Sequence, residues 1–173
     1  MDVSYLVQTL VLLLLLVVAA LAMRRGWTRR QRAQRVRFGN LHPTPPADKR
    51  GEVLLGPVSG IYIGSSFAPN WQERVAWAGL GLRSRTTLTS QTGGFLLDID
   101  SPGQPDGLWI PAAAVVAVRS ERAAAGKVAR EGAFGVIRWT LPNGTLIDTA
   151  FRADDPSAQA AWLSSNDQSG RVR

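Results

Sequence analysis

An uninterrupted apolar run near the N-terminus constrains this chain more than any other feature. Residues 5–23 carry only two polar side chains, those of Gln8 and Thr9, and no charge. As a helix with a rise of about 1.5 Å per residue, the run would be roughly 28 Å long, close to the hydrocarbon thickness of a bilayer. Tyr5 and Trp27 flank it, where interfacial aromatic residues are expected. The run predicts a transmembrane helix over residues 5–23, after a short N-terminus of residues 1–4.

A cleaved signal peptide is the alternative interpretation of this run, because Ala20-Leu21-Ala22 has the small-x-small form of a cleavage site. A signal peptide has a basic start, however, whereas this chain begins Met1-Asp2 and has no basic side chain before the apolar run. Basic residues instead follow the run at once, where they oppose export of the chain. We therefore expect a retained anchor.

The formal net charge of +7 comes from one arginine block directly after the apolar run. Of the 20 basic residues, the 13 outside the block are balanced by 13 acidic ones. By the positive-inside rule the block stays in the cytoplasm, so the N-terminus is expected to face out and the remaining chain to be cytoplasmic. The block occupies residues 24–37 and consists of Arg24, Arg25, Arg29, Arg30, Arg32, Arg35 and Arg37.

Two roles are open for the arginine block. It sets the topology of the helix, or it also holds anionic lipids of the inner leaflet, which is worth about 1 kcal/mol per arginine near the membrane. Charges would lie all round a helix drawn through residues 24–37, so an amphipathic surface helix is not indicated. Because the rest of the chain is neutral overall, no nucleic-acid partner is expected.

A change of composition divides the remainder of the chain. Residues 38–50 contain Pro43, Pro45 and Pro46 and predict an extended linker, in which His42 is expected to be a solvated loop residue. Over residues 51–165, short apolar runs alternate with glycine, proline and small polar residues, as in a mainly β domain. Some of the predicted strands merge, to leave about seven. They are residues 53–55, 60–64, 80–85, 86–90, 95–99, 108–110, 113–119, 135–141 and 145–152.

Two local signals predict how the domain ends. Asn143-Gly144 supplies the positive backbone dihedrals of a tight turn and predicts a hairpin between the runs 136–141 and 145–148. Asp155 as a cap and Pro156 at the first position then predict a helix that covers an open end of the β-structure. The apolar face of this helix consists of Ala158, Ala161 and Trp162. Residues 166–173 are expected to form a flexible tail.

The sequence offers little for catalysis or cofactor binding. Zero cysteines exclude thiol catalysis and cysteine-based metal sites. Asp98 and Asp100 would project from one face of a strand, but they lead into a turn signal at residues 101–103 and are expected to be solvated acids. Gly126-Lys127 lacks both the earlier glycine and the following hydroxyl residue of a phosphate loop. We expect no enzyme activity, no metal and no cofactor.

Seven or so strands closed by a helix with a central tryptophan resemble the pleckstrin-homology superfold. More closely, the chain resembles a family of small actinobacterial membrane proteins with one N-terminal span and a pleckstrin-homology-like (PH-like) domain. The preference for arginine over lysine also suits the GC-rich genome of that lineage. The segments that carry the resemblance are Arg74-Val75-Ala76, Gly79-Leu80-Gly81-Leu82-Arg83-Ser84-Arg85, Trp109-Ile110-Pro111-Ala112-Ala113-Ala114, Ala125-Gly126-Lys127-Val128 and Asp148-Thr149-Ala150-Phe151-Arg152.

This resemblance implies a transmembrane helix followed by a mainly β, PH-like domain of about seven antiparallel strands closed by a C-terminal helix. It implies no catalytic residue. Lipid-binding members of the superfold use a basic cluster between the first two strands, where residues 64–77 of this chain offer only Arg74. Specific phosphoinositide binding is therefore not expected.

We expect a single-pass binding or scaffolding module at the cytoplasmic membrane surface; the alternative is an accessory subunit of a membrane transport or export complex. The expected partners are the lipid bilayer, including its anionic lipids, and an unidentified protein. The candidate contacts with a protein or an anion are Arg83, Arg85, Lys127 and Arg152.

Overall fold

The apolar run is helical in the computed structural model, which describes residues 3–100, 105–130 and 132–169. Helix α1 spans Val3–Phe38, 36 residues or about 54 Å, and is long and apolar enough to cross a membrane. It continues without a break through the whole arginine block. The helix ends where Gly39 adopts a φ of +76° and donates its N–H to the Arg35 carbonyl (2.9 Å), a left-handed glycine cap.

Seven strands form one antiparallel sheet, which confirms the predicted fold class. Strand β1 lies at its centre because it pairs with both β2 and β9, and the order across the sheet is β4-β3-β2-β1-β9-β8-β5. Strands β6 and β7 form a separate two-stranded ribbon. The bounds are β1 Val53–Phe67, β2 Ser84–Gln91, β3 Gly94–Ile99, β4 Leu108–Pro111, β5 Val115–Glu121, β6 Ala123–Ala124, β7 Lys127–Val128, β8 Phe134–Thr140 and β9 Leu146–Ala153.

The turns follow the sequence signals in part. The hairpin of β8 and β9 is confirmed, with Gly144 at a φ of +83° and the Thr145 N–H donating to Asn143 Oδ1 (3.0 Å). The predicted strand over residues 80–85 is wrong for residues 80–83, which lie in the connection between β1 and β2, where Leu80 is buried. The ribbon of β6 and β7 was not predicted, since two residues per strand are too few to show an alternating pattern.

A hydrophobic core lies between the inner face of the sheet and helix α2, which spans Pro156–Ser169. Trp162 of α2 is fully buried and meets Phe95 and Phe151 edge-on, with ring centroids 6.2 and 6.1 Å apart. Asp155 caps the helix as predicted, accepting a hydrogen bond from the Ser157 N–H (2.8 Å). Residues 166–169 of the predicted flexible tail are helical, and residues 170–173 lie outside the described residues.

The segment predicted as an extended linker packs on the domain through several of its side chains. Leu41 packs against the core, and the half-buried His42 ring hydrogen-bonds the Thr140 carbonyl (Nε2 to O, 2.9 Å). Thr44 donates its hydroxyl to the Gly107 carbonyl (3.1 Å). The three prolines do prevent a helix here, but they do not prevent contact. The solvated position expected for His42 is therefore wrong.

Candidate functional site

One face of α1 is docked on the connection between β1 and β2, at residues 68–83. Gln34 is the centre of this contact and is only 9 % exposed. Its Oε1 accepts a hydrogen bond from the buried Ala76 N–H (2.6 Å), and its Nε2 donates to the Arg74 carbonyl (3.3 Å). Arg30 donates to the same carbonyl through Nη2 (3.3 Å). Gln34 therefore clamps the loop backbone at two points, the Arg74 carbonyl and the Ala76 N–H.

Two aromatic side chains extend this contact along α1 in both directions. Phe38 stacks on Phe67 at the end of β1, with ring centroids 4.2 Å apart. Trp27 lies over Gly81, where an added β-carbon would stand 3.3 Å from Trp27 Cη2. Trp27, Gln34 and Phe38 are spaced seven and four residues apart and therefore share one helical face. Over residues 27–38, α1 is thus fixed to the domain at three levels.

The loop that receives α1 is itself held by a buried chain of hydrogen bonds. Trp139 Nε1 donates to Thr149 Oγ1 (2.9 Å), which is 2.8 Å from Ser65 Oγ. Ser65 Oγ is 2.8 Å from the Tyr62 hydroxyl, which donates to the Leu80 carbonyl (2.8 Å). Because Tyr62 gives its only proton to Leu80, the Ser65 hydroxyl donates to Tyr62 and the Thr149 hydroxyl to Ser65.

This chain connects β8, β9 and β1 to the loop, and each of its four side chains is fully buried. Burial raises the pKa of Tyr62, so its hydroxyl stays protonated and keeps donating. The Leu80 carbonyl also accepts the Ser65 N–H (3.0 Å). The position of Leu80, and of Gly81 and Leu82 after it, is therefore set by the core of the domain.

Leu82 and Arg83 follow immediately and project from the domain. Leu82 is 52 % exposed, although it is a large apolar residue directly beside the Trp27 contact at Gly81. Arg83, one of the four predicted contact residues, is also exposed and forms no ion pair within the described part of the chain. An exposed leucine beside an unpaired arginine is a combination that suits an interfacial lipid surface.

The other three predicted contact residues do not join this patch through any contact that the structure shows among described residues. Arg85 forms a bidentate ion pair with Asp154 (3.2 and 3.0 Å), so its charge is compensated on the surface. Arg152 lies two strands away from Arg85, because both stand opposite Ile61 in the pairing with β1. Lys127 is exposed on β7.

Docking of α1 places some arginines of the block beside the domain and leaves others on the opposite, uncovered face of the helix. Within the described ranges, Arg30 alone among these arginines reaches the domain by a side-chain hydrogen bond, and Arg37 lies over the ring of its neighbour Phe38 (5.1 Å from Cζ to the centroid). At about 100° per residue, the exposed Arg29 and Arg32 lie roughly 220° and 160° round the helix from Gln34. The sequence showed charges on all sides, but it could not show which side is covered.

The outer face of the sheet carries a charged cluster that the sequence did not indicate. Asp148 is held by Arg138 (Nη2 to Oδ2, 2.7 Å) and by Arg119 (2.8 Å), and Arg119 also pairs with Glu121 (2.7 Å). Burial by itself would raise the pKa of Asp148, but the hydrogen bonds from both arginines outweigh it and lower the pKa. The cluster borders a cavity of about 340 Å³ beside Trp71.

Two positive and two negative charges balance in this cluster, so it fits a structural role better than an anion site. Its members come from strands β5, β8 and β9, and only strand pairing brings them together. Within the described residues, no group of three or more histidine, aspartate or glutamate side chains could hold a metal ion. Asp98 and Asp100 are exposed, as expected for solvated acids, and the turn signal at 101–103 lies outside the described residues.

Comparison with known proteins gives one match. A family model described as "Bacterial PH domain-like" matches residues 39–167, about three quarters of the chain. No curated protein and no solved structure matches the chain. The matched range begins directly after α1 and includes the packed segment that contains His42.

Proposed function

The chain belongs to the bacterial PH domain-like family, and we propose that it is a single-pass, non-catalytic binding module whose domain is held against the cytoplasmic face of the membrane by its own anchor. The observation that carries this proposal is the docking of α1 through Gln34. A span followed by a flexible linker would leave the domain free to turn. A continuous helix clamped at Trp27, Gln34 and Phe38 gives the domain one orientation relative to the membrane.

The helix also sets the height of the domain above the bilayer. Trp27 lies four residues after Met23, the last residue of the apolar run, or about 6 Å further along the axis. That distance is roughly the thickness of the headgroup region of one leaflet. Because Trp27 lies over Gly81, the adjoining Leu82 and Arg83 come to the same level. We therefore assign the lipid contact of the domain to these two residues.

The arginines nearest the membrane have two roles in this arrangement. Arg24 and Arg25 lie within about 3 Å of the end of the apolar run and provide the positive-inside signal and the first contacts with anionic lipid. Arg83 adds a further positive charge from the domain side. The finer parts of this proposal are the cytoplasmic location of the domain, the outward-facing N-terminus and the actinobacterial origin of the chain, which the arginine-rich composition favours.

The absence of cysteine from the sequence makes a clean test of the lipid contact. The variant L82C, labelled with an environment-sensitive fluorophore, is compared in proteoliposomes with E52C, which carries the label beside the turn of β2 and β3 at the other end of β1. A blue-shifted emission at residue 82 and a water-like emission at residue 52 are expected. Water-like emission at both positions would refute the lipid contact.

Orientation is tested separately with a C-terminal reporter that is active on one side of the membrane only. Activity on the cytoplasmic side is expected. An accessory role in a transport or export complex is the second candidate function, and the face of α1 that the domain leaves uncovered favours it. Such a role requires a partner, since one span does not enclose a pathway.

A further inference from the structure

The uncovered face of α1 carries three arginines and one valine at helical spacing. Arg29, Arg32 and Val36 are spaced three and four residues apart, and Arg35 adjoins them; together we name them the arginine stripe. All four residues are exposed, and Val36 is the most exposed large apolar side chain described, at 88 %. We propose that the arginine stripe binds an acidic, amphipathic helix of a neighbouring protein that lies alongside α1.

Distance from the membrane separates the far end of this stripe, Arg35 and Val36, from the lipid. On a helix along the membrane normal, Arg29 and Arg32 lie about 9 and 14 Å beyond Met23, and Arg35 and Val36 lie about 18 and 20 Å beyond it. The headgroup region ends roughly 6–7 Å beyond the hydrocarbon, and charge is screened within about 8 Å at physiological ionic strength. Val36 in particular is too far from the bilayer to enter it. Anionic headgroups therefore reach the beginning of the arginine block but not the end.

Among the residues that the structure describes, no acidic side chain forms an ion pair with the stripe. No acidic residue occurs between Asp2 and Asp48, so no intrahelical ion pair is available. Arg29 and Arg32, and likewise Arg32 and Arg35, are three residues apart, where like charges destabilise a helix. The domain lies on the opposite face, at Gln34. The repulsion between these arginines destabilises the helix, and no acidic side chain nearby in the chain offsets it. This favours a partner outside the chain.

The valine identifies the partner as a protein helix rather than a polyanion. An exposed apolar residue between arginines matches the pattern of two helices side by side, with an apolar contact flanked by charge pairs. Acidic side chains at spacings of three and four residues would face the arginines along about 10 Å of α1. The cytoplasmic extension of another transmembrane helix has the direction and the height that this contact requires.

A binding measurement with a defined probe tests this inference. Full-length protein in phosphatidylcholine nanodiscs is titrated with a helical peptide that carries glutamates flanking one leucine at this spacing. The comparison is with a peptide of the same composition in scrambled order. Because both faces of a nanodisc are open, the result does not depend on the orientation that the proposed function assigns. Failure here would leave that function standing, and a misassigned orientation would leave this result unchanged.

Three variants decide the outcome. R29Q/R32Q/R35Q is expected to weaken binding of the ordered peptide about tenfold, and V36S is expected to weaken it several-fold to about tenfold by removing the apolar contact. K49Q/R122Q/R130Q removes the same charge from exposed positions outside α1 and should leave binding within about twofold of the wild type. Retained helicity and an unchanged melting temperature confirm that the variants fold.

Several results would overturn the inference. Equal binding of the ordered and scrambled peptides, or equal loss in the two triple variants, would reduce the contact to general charge attraction. Undiminished binding in V36S would contradict an amphipathic helix as the partner. It would indicate a ligand bound by charge alone, such as a nucleic acid.

Discussion

Replacement of Gln34 by alanine should release α1 from the domain. The Ala76 N–H would lose the acceptor that it contacts at 2.6 Å while still buried in the docked state. An unsatisfied buried donor costs about 1–3 kcal/mol, and the lost hydrogen bond from Gln34 to the Arg74 carbonyl adds roughly 0.5–1.5 kcal/mol. Together these effects shift the docking equilibrium by roughly 2–4 kcal/mol, or about 30-fold to 1,000-fold.

Hydrogen exchange at the Ala76 amide measures this change directly, because the amide is protected by Gln34 itself. In full-length protein in nanodiscs, Q34A is expected to accelerate exchange at Ala76 by about 30-fold or more, while the amides of β8 and β9 keep their protection. The matched control is Q31A, one turn earlier on the same helix, where the structure shows no side-chain hydrogen bond to any described residue. Equal exchange at Ala76 in Q34A and the wild type would refute the clamp.

Two further predictions concern the stability of the domain. D148N leaves Arg119 and Arg138 without their shared carboxylate and is expected to cost roughly 2–3 kcal/mol at pH 7 by denaturant unfolding. Because the folded-state pKa of Asp148 lies below its ordinary value of 3.8, its stabilisation is present above pH 4 and lost on acidification. Wild type and D148N should therefore converge in stability at low pH, and a constant difference down to pH 2 would contradict this. G135A places a β-carbon against the Trp162 ring and should destabilise the domain by about 1–3 kcal/mol. The control G26A, at a helical position with no neighbouring atoms, should be neutral or slightly stabilising. Equal melting temperatures for the two variants would contradict the packing of Gly135 against Trp162.

The elements that depend on local chemistry could be predicted from the sequence. The apolar run predicted a helix over residues 5–23, Asn143-Gly144 predicted the turn of β8 and β9, and Asp155 with Pro156 predicted the start of α2. Each of these signals acts within a few residues. The number of strands in the main sheet, seven, followed from the alternation of apolar runs and turn residues.

The elements that depend on distant contacts could not be predicted in this way. Gln34 is an ordinary polar residue in an arginine-rich helix, and only the folded loop brings Ala76 within 2.6 Å of it. The pairing of Asp148 with Arg119 and Arg138 requires the register of three strands. The packing of His42 was missed because prolines report on backbone geometry but not on contact with the domain.

The candidate site was predicted only in outline for the same reason. Of the four predicted contact residues, Arg83 is exposed two residues after Gly81, which lies under Trp27, and Arg85 is paired with Asp154. The sequence alone did not indicate Trp27, Gln34 or Leu82 as partners in one surface. These residues come together because one face of α1 lies on the loop between β1 and β2. The spacing of residues within the helix or within the loop does not predict that contact.

The depth of residue 82 in the membrane, measured with and without the Gln34 clamp, tests the central claim most directly. Fluorophore-labelled L82C and L82C/Q34A are reconstituted in liposomes that contain a lipid spin-labelled at the headgroup, which quenches nearby fluorophores. We predict strong quenching at residue 82 when the clamp is present and a clear loss of quenching when Gln34 is replaced. Weak quenching in both proteins, or equally strong quenching in both, would contradict the claim that the docked helix holds the domain against the membrane.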